Sequence, residues 1–95
     1  LSPPPSAEPA RARSGDAAYR QAVDCAGAMT SLLNSMTYAM SQNQADQMAY
    51  DQAAWRAYAL SLDGRADKEI DRRAGQLNDI TADRILRACP PAPRS

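Results

Sequence analysis

The sequence predicts an all-α protein: a small three-helix bundle, expected to carry a disulfide staple, between extended proline-rich tails. Two observations lead to this prediction. Apolar residues recur at steps of three and four, and no stretch shows the alternation of apolar and polar residues that marks a half-buried strand. Between Asp16 and Asp63 the chain has no proline, and its only glycine there is Gly27, so few helix breakers interrupt that length.

The first predicted helix begins near Asp16, whose carboxylate can cap the free N–H groups of the first turn after Gly15. Ser41, followed three residues later by Gln44, has the form of a capping box and predicts the start of a second helix. A single unbroken helix through this region is the alternative. The apolar stripe of the first helix comprises Tyr19, Ala22, Val23, Ala26, Met29, Leu33, Met36 and Met40.

The second predicted helix carries two apolar stripes on different sides. It should stop at Asp63-Gly64, because glycine readily takes the left-handed conformation that ends helices. One stripe consists of Met48, Trp55, Ala59 and Leu62, and the other of Tyr50, Ala54, Ala57 and Tyr58.

The third predicted helix opens with Asp67 and Glu69, where the positive end of the helix dipole favours negative charge. It either continues to Cys89 or is split near Gly75, which follows two arginines and precedes Asn78. Its apolar face comprises Ile70, Ala74, Leu77, Thr81, Ile85 and Ala88. The predicted core of the bundle is Met29, Leu33, Met36, Trp55, Leu62, Ile70 and Leu77.

The predicted domain division has three parts. Residues 1–14 and 90–95 are too proline-rich and too poor in large apolar residues to fold alone, so they are expected to form extended tails. Residues 15–89 form the helical domain. A core of this size leaves only about a few kcal/mol of net stability, so a covalent staple is expected.

The two cysteines, Cys25 and Cys89, are the expected staple. Two cysteines alone are too few for a cysteine-only metal site, and the chain has no histidine to complete a zinc or haem site. In an ideal bundle of three full-length helices, however, the two residues would lie about 20 Å apart at ~1.5 Å per residue, whereas a disulfide requires Cα atoms within about 7 Å. A reversal near Gly75, a shortened first helix or strong tilting would bring them together, and pairing between two chains is the alternative.

Charge and hydropathy exclude two classes of function. Eleven basic and eleven acidic residues give no net field toward nucleic acid, and no apolar run reaches the roughly twenty residues needed to span a bilayer.

The chain begins at Leu1 without a methionine, which is compatible with a removed leader or with a cut. Together with the even number of cysteines, this favours an oxidising compartment: periplasm, organelle lumen or intermembrane space.

Catalysis is not expected, because serine and threonine have no histidine to act as their base, and Lys68 is flanked by acidic partners. No cofactor is predicted. The methionines Met29, Met36, Met40 and Met48 could bind Cu(I), which prefers soft ligands. They lie on apolar stripes, however, so filling the core is the competing interpretation.

Binding of other proteins is the remaining class of function. Tyr50 and Tyr58 are candidate partner-binding residues, since tyrosine is favoured at interfaces; a middle helix that contacts both neighbours explains the same stripe. In the tails, Arg11, Arg13 and Arg94 could pair with carboxylates of a partner. The sequence therefore predicts a non-enzymatic accessory subunit of a larger assembly, with a carrier of Cu(I) or of a small apolar ligand as the alternative.

Overall fold

A computed structural model describes the backbone of residues 3–93 and the side chains from Asp16 onward. This part of the chain is all-α and contains no strand, as predicted. It has four α-helices rather than three, together with one short 3₁₀ helix. The elements are α1 (Pro3–Ser35), the 3₁₀ turn (Thr37–Ala39), α2 (Gln42–Leu62), α3 (Ala66–Gln76) and α4 (Asp79–Ala88).

Helix α1 begins well before the predicted start. Its first residue is Pro3, so residues 3–14 are helical instead of extended, and Asp16 lies inside the helix rather than at its cap. Three prolines occupy the first turn, where backbone N–H groups have no acceptor within the helix and proline therefore costs little. Residues 90–93 have no regular secondary structure.

The boundary between α1 and α2 confirms the predicted second helix. After the 3₁₀ turn, Ser41 caps α2: its hydroxyl accepts from the backbone N–H of Gln44 at 3.1 Å. The side chain of Gln44 in turn accepts from the backbone N–H of Ser41 at 2.9 Å. This reciprocal pair satisfies two N–H groups that the helix itself cannot. The polar run after Met40 is therefore a helix start.

Helix α2 stops where predicted, but for a different reason. It ends at Leu62, and neither Gly64 nor any other described residue has a positive φ. Asp63 is instead extended, and its carboxylate accepts from the backbone N–H of Arg65 at 2.9 Å. An aspartate that bonds the backbone two residues later forms a local turn without a left-handed glycine.

The predicted third helix is split into α3 and α4. Helix α3 ends at Gln76, one residue after Gly75, and α4 starts after Asn78. The Asn78 side chain accepts from the backbone N–H of Thr81 at 2.8 Å, while the Thr81 hydroxyl accepts from the backbone N–H of Asn78 at 3.0 Å. A second capping box thus starts a new helix in a new direction.

The contacts along α1 show the directions of its neighbours. The Tyr19 hydroxyl donates to Glu69, so the start of α3 lies beside the first part of α1. Farther along both helices, Arg73 donates to Asp24 at 2.9 Å, which makes α3 run parallel to α1. The chain then reverses, and α4 runs antiparallel to α1 as far as Cys89. This residue is bonded to Cys25 with a Cα–Cα distance of 6.0 Å. The predicted intramolecular disulfide is therefore present.

The core surrounds α1, against which α2, α3 and α4 all pack. Met29, Trp55 and Ile70 are buried as predicted. Two predicted core leucines are not: Leu33 is only half-buried, and Leu62 is 45 % exposed at the end of α2. Because three helices surround α1, its buried face is wider than one stripe. The buried apolar residues of α1 are Ala22, Val23, Cys25, Ala26, Ala28, Met29 and Leu32.

The remaining predicted core residues, Met36 and Leu77, are half-buried at the end of the bundle where α1 and α3 stop. Both contact a second, smaller cluster formed by Ala28, Leu32 and Ala82. This cluster joins α4 to α1, and Met36 opens onto a groove beside it.

Candidate binding groove

An open groove lies over α1 between α2 and α4. These two helices pack on α1 but hardly approach each other in the described structure, so α1 forms the floor and they form the walls. The volume of the groove is about 650 Å³, within the range of ligand sites. We call it the methionine groove. It is lined by Met29, Leu32, Met36, Ala39, Met40, Asn43, Gln44, Gln47, Met48, Asp51, Asp79, Asp83 and Leu86.

All four methionines of the chain line the methionine groove. Met29 lies on the floor and is 4 % exposed. Met36 and Met40 flank the 3₁₀ turn, which carries the chain from the end of α1 toward α2, and Met48 follows on α2 itself. Methionine is flexible and polarisable, so a surface made of it can adapt to different apolar shapes.

The rim of the methionine groove is acidic on both walls. Asp51 lies on α2, and Asp79 and Asp83 lie on α4. Asp79 accepts a hydrogen bond from the Ser35 hydroxyl at 2.7 Å, and Asp51 accepts one from the amide of Gln47 at 3.1 Å. Neither is in an ion pair with a described residue.

Asp83 is the rim residue with a cationic partner. Arg87 donates to it at 2.8 Å from the next turn of α4. The Arg87 side chain is 80 % exposed, and such a surface pair is weak because water and salt screen it. Within the described part of the chain, no lysine or arginine lines the groove. The rim therefore presents net negative charge around an apolar floor.

A second cavity of about 480 Å³ continues the groove toward the disulfide. It shares Met29, Gln47, Asp51 and Leu86 with the methionine groove, and we call it the proline-lined end. Its other walls are Tyr50, Ala54, Trp55, Cys89, Pro90, Pro91 and Ala92.

Trp55 is the most deeply buried side chain at the proline-lined end. It is 1 % exposed, and its indole N–H has no hydrogen-bond partner among the described atoms. A buried donor without an acceptor is uncommon and costs stability. Tyr58, one turn later on α2, packs edge-on against its ring with 6.1 Å between centroids.

The sequence-predicted site residues fall into three groups. The methionines are brought together in one groove. Tyr50 is 66 % exposed and lines the proline-lined end, whereas Tyr58 packs against the core around Trp55. Arg94 and the side chains of Arg11 and Arg13 lie outside what the structure describes.

Sequence reasoning missed the acidic rim. Asp79, Asp83 and Leu86 are spaced four and three residues apart, which places them on one face of α4. That spacing is visible in the sequence, but it shows only that the three residues share a face. The groove itself depends on the reversal between α3 and α4, which determines where that face lies.

Among the residues that the structure describes, no group of three or more cysteine, aspartate or glutamate side chains could hold a metal ion. No helix in that part of the chain has both the length and the apolar character that crossing a membrane requires. Comparison with protein-family models, curated proteins and solved structures finds no significant match to this chain.

Proposed function

We propose that this protein is a non-enzymatic accessory subunit that binds an apolar segment of another protein in the methionine groove. The observation behind this proposal is the gap between α2 and α4: two helices flank a third, and the position above it is open. A hydrophobic groove of this kind can receive the apolar face of a helix, as in the helix-in-groove mode of peptide recognition. The methionine lining suits an apolar face that need not have a single fixed shape.

The compartment we propose is an oxidising one outside the cytosol. The Cys25–Cys89 disulfide supports it, since such bonds persist where thiols are not kept reduced. Tyr50, exposed at the proline-lined end, is a proposed additional partner contact. Arg11, Arg13 and Arg94 remain proposed anchors in the terminal segments.

The test is recovery of the tagged full-length chain from its native cells, after mild cross-linking, in three forms. These are the wild type, a Met36→Gln/Met40→Gln variant and a Tyr38→Gln control. Tyr38 lies between the two methionines but is 85 % exposed and does not line the groove. We expect wild type and control to recover the same partner and the groove variant to lose it, and the purified partner to form a complex with the purified chain.

Recovery of the wild type as a lone monomer would contradict the proposal, as would retention of the partner by the groove variant. A fourth form without residues 1–14 tests the terminal anchors separately. If Arg11 and Arg13 contribute, this form should bind the partner more weakly while the groove remains necessary. The melting temperature of each form shows whether a loss reflects unfolding.

A second candidate function rests on the same four methionines. Their thioethers line one groove, and Cu(I) prefers such soft ligands, so a Cu(I) carrier is compatible with the site. Calorimetric titration of Cu(I) into wild type and a Met36→Leu/Met40→Leu variant tests it, because leucine retains the apolar volume without the sulfur. Saturable binding that this variant loses would support the carrier function. Equal binding by both forms, or none, would contradict it.

A further inference from the structure

The groove also indicates what its occupant is made of. We propose that the methionine groove and its proline-lined end receive one basic amphipathic helix of the partner, about three turns long. This inference rests on the proposed function and adds the chemistry of the segment that binds. Three features of the site lead to it: its length, its floor and the charge of its rim.

The length follows from the residues of α2 that form one wall. They extend from Asn43 in the methionine groove to Trp55 at the proline-lined end, twelve residues later. At about 1.5 Å per residue, that wall is about 18 Å long, which matches a little over three turns of a docked helix. An extended strand of the same length would have unpaired backbone N–H and C=O groups against an apolar floor, whereas a helix satisfies its own.

The floor and the rim determine the two faces of that helix. Met29 and Leu32 of α1, and Met36 immediately after its end, line the groove, so the face toward α1 must be apolar. Asp51 stands on one wall and Asp79 and Asp83 on the other, so both flanks of the docked helix face carboxylates. Lysine or arginine at the flanks would pair with them, and an acidic flank would be repelled.

The probe is a synthetic amidated peptide of about 14 residues in which leucine and lysine alternate at helical spacing, so that one face of the helix is apolar and its flanks are basic. It is slightly longer than the wall because the ends of a short helix fray. Two matched peptides serve as controls. One replaces every lysine with glutamate, and the other keeps the basic composition in an order that has no apolar face. Trp55 is the only tryptophan and lines the proline-lined end, so its emission reports occupation of that end. Calorimetry gives the affinity independently.

The rim is tested in the full-length chain with Asp51→Asn/Asp79→Asn, which removes two charges and keeps side-chain size. Asp46→Asn is the control: it lies on the exposed part of α2 and does not line either cavity. We expect the basic amphipathic peptide to bind saturably and to change Trp55 emission. The double variant should bind it roughly three- to tenfold more weakly, as for two partly exposed ion pairs. Added salt should weaken the wild type more than the variant.

Several results would overturn the inference. The inference is refuted if the acidic peptide, or the basic peptide without an apolar face, binds as well as the basic amphipathic peptide. It is also refuted if the Asp51→Asn/Asp79→Asn variant binds the basic amphipathic peptide as tightly as wild type does, or if that peptide does not bind at all. Loss of the native partner from the Met36→Gln/Met40→Gln variant, with no binding of the basic peptide, would leave the groove as the binding site and refute only the helix chemistry. Failure of both experiments would refute the proposed function as well.

Discussion

Ser35 at the end of α1 donates a hydrogen bond to Asp79 at the start of α4, over 2.7 Å. Cys25 lies ten residues before Ser35, and Cys89 lies ten residues after Asp79. Two helices that meet at one end and run in opposite directions rise by the same distance per residue. Equal lengths therefore bring the two cysteines level, and this is how the chain avoids the separation expected for three full-length helices.

The disulfide should be an intramolecular bond with a large effect on stability. A tryptic digest without reductant should contain one linked species, joining residues 21–56 to residues 88–94. The Cys25→Ala/Cys89→Ala variant should lose about 4 kcal/mol of unfolding free energy, the chain-entropy value for a loop of this length. Two free thiols, or a bond found only in a dimer, would contradict the pairing.

The reversal between α3 and α4 should depend on the Asn78 cap. Asn78→Ala removes the acceptor for the Thr81 backbone N–H and should cost about 1 kcal/mol. Asn78→Asp keeps an oxygen in the same place and should cost much less. Urea unfolding of the two variants measures the difference, and equal losses in both would show that the side chain does not act as a cap.

Burial should rank three leucines differently from the sequence pattern, which placed Leu33 and Leu62 in the core and left Leu32 out of it. Leu32→Ala should cost roughly 2–5 kcal/mol because the side chain is 6 % exposed. Leu62→Ala should change stability by only about 0.5 kcal/mol, since its side chain is largely in water. Leu33→Ala should lie between them. Thermal and urea unfolding test this order, and a Leu62→Ala loss as large as that of Leu32→Ala would show that the core extends farther along α2.

Two helical glycines should respond to alanine with opposite signs. A Cβ on Gly27 would lie 3.0 Å from Cγ and 3.1 Å from Cβ of Arg73, where α1 packs against α3. Gly75 has no atom within 4 Å of that position. Gly75→Ala should therefore stabilise by about 0.5–1 kcal/mol, the usual gain from alanine in a helix, while Gly27→Ala should destabilise. A gain in unfolding free energy at both sites would show that α3 moves aside at little cost.

The contact between Tyr19 and Glu69 should make stability depend on pH in alkali. Burial, reinforced by the hydrogen bond to Glu69, raises the pKa of Tyr19 to about 12. Above the ordinary tyrosine pKa of about 10 the unfolded chain loses this proton while the folded chain keeps it, so the unfolded state binds fewer protons and stability falls as pH rises. The contribution is complete below about pH 10.

Tyr19→Phe is the matched variant for this effect, since it has no proton to lose. Urea unfolding from pH 8 to pH 11 should show the stability advantage of wild type over Tyr19→Phe shrinking above about pH 10. An advantage that stays constant over the whole range would mean that the phenol ionises equally in both states.

The sequence by itself determined the helical class, the role of the two cysteines as a disulfide staple and most helix boundaries. Spacing identified the apolar faces, and local chemistry placed the starts and stops. The signals for these boundaries, such as the Ser41–Gln44 capping box and the break after Gly75, involve only residues a few positions apart in the chain. The helical N-terminal segment was missed because proline content was taken as a sign of extension, although prolines in a first turn are compatible with helix.

Only the tertiary structure decided which helix faces meet. Leu32 and Leu33 both belong to an apolar region, and the choice of Leu32 depends on how three helices surround α1. The methionine groove likewise exists because α2 and α4 pack on α1 and not on each other. The position of α4 depends on the chain reversal at Asn78, which directs this helix back toward Cys25. Periodicity describes one helix at a time, whereas a groove belongs to the space between helices, which packing and chain reversal determine.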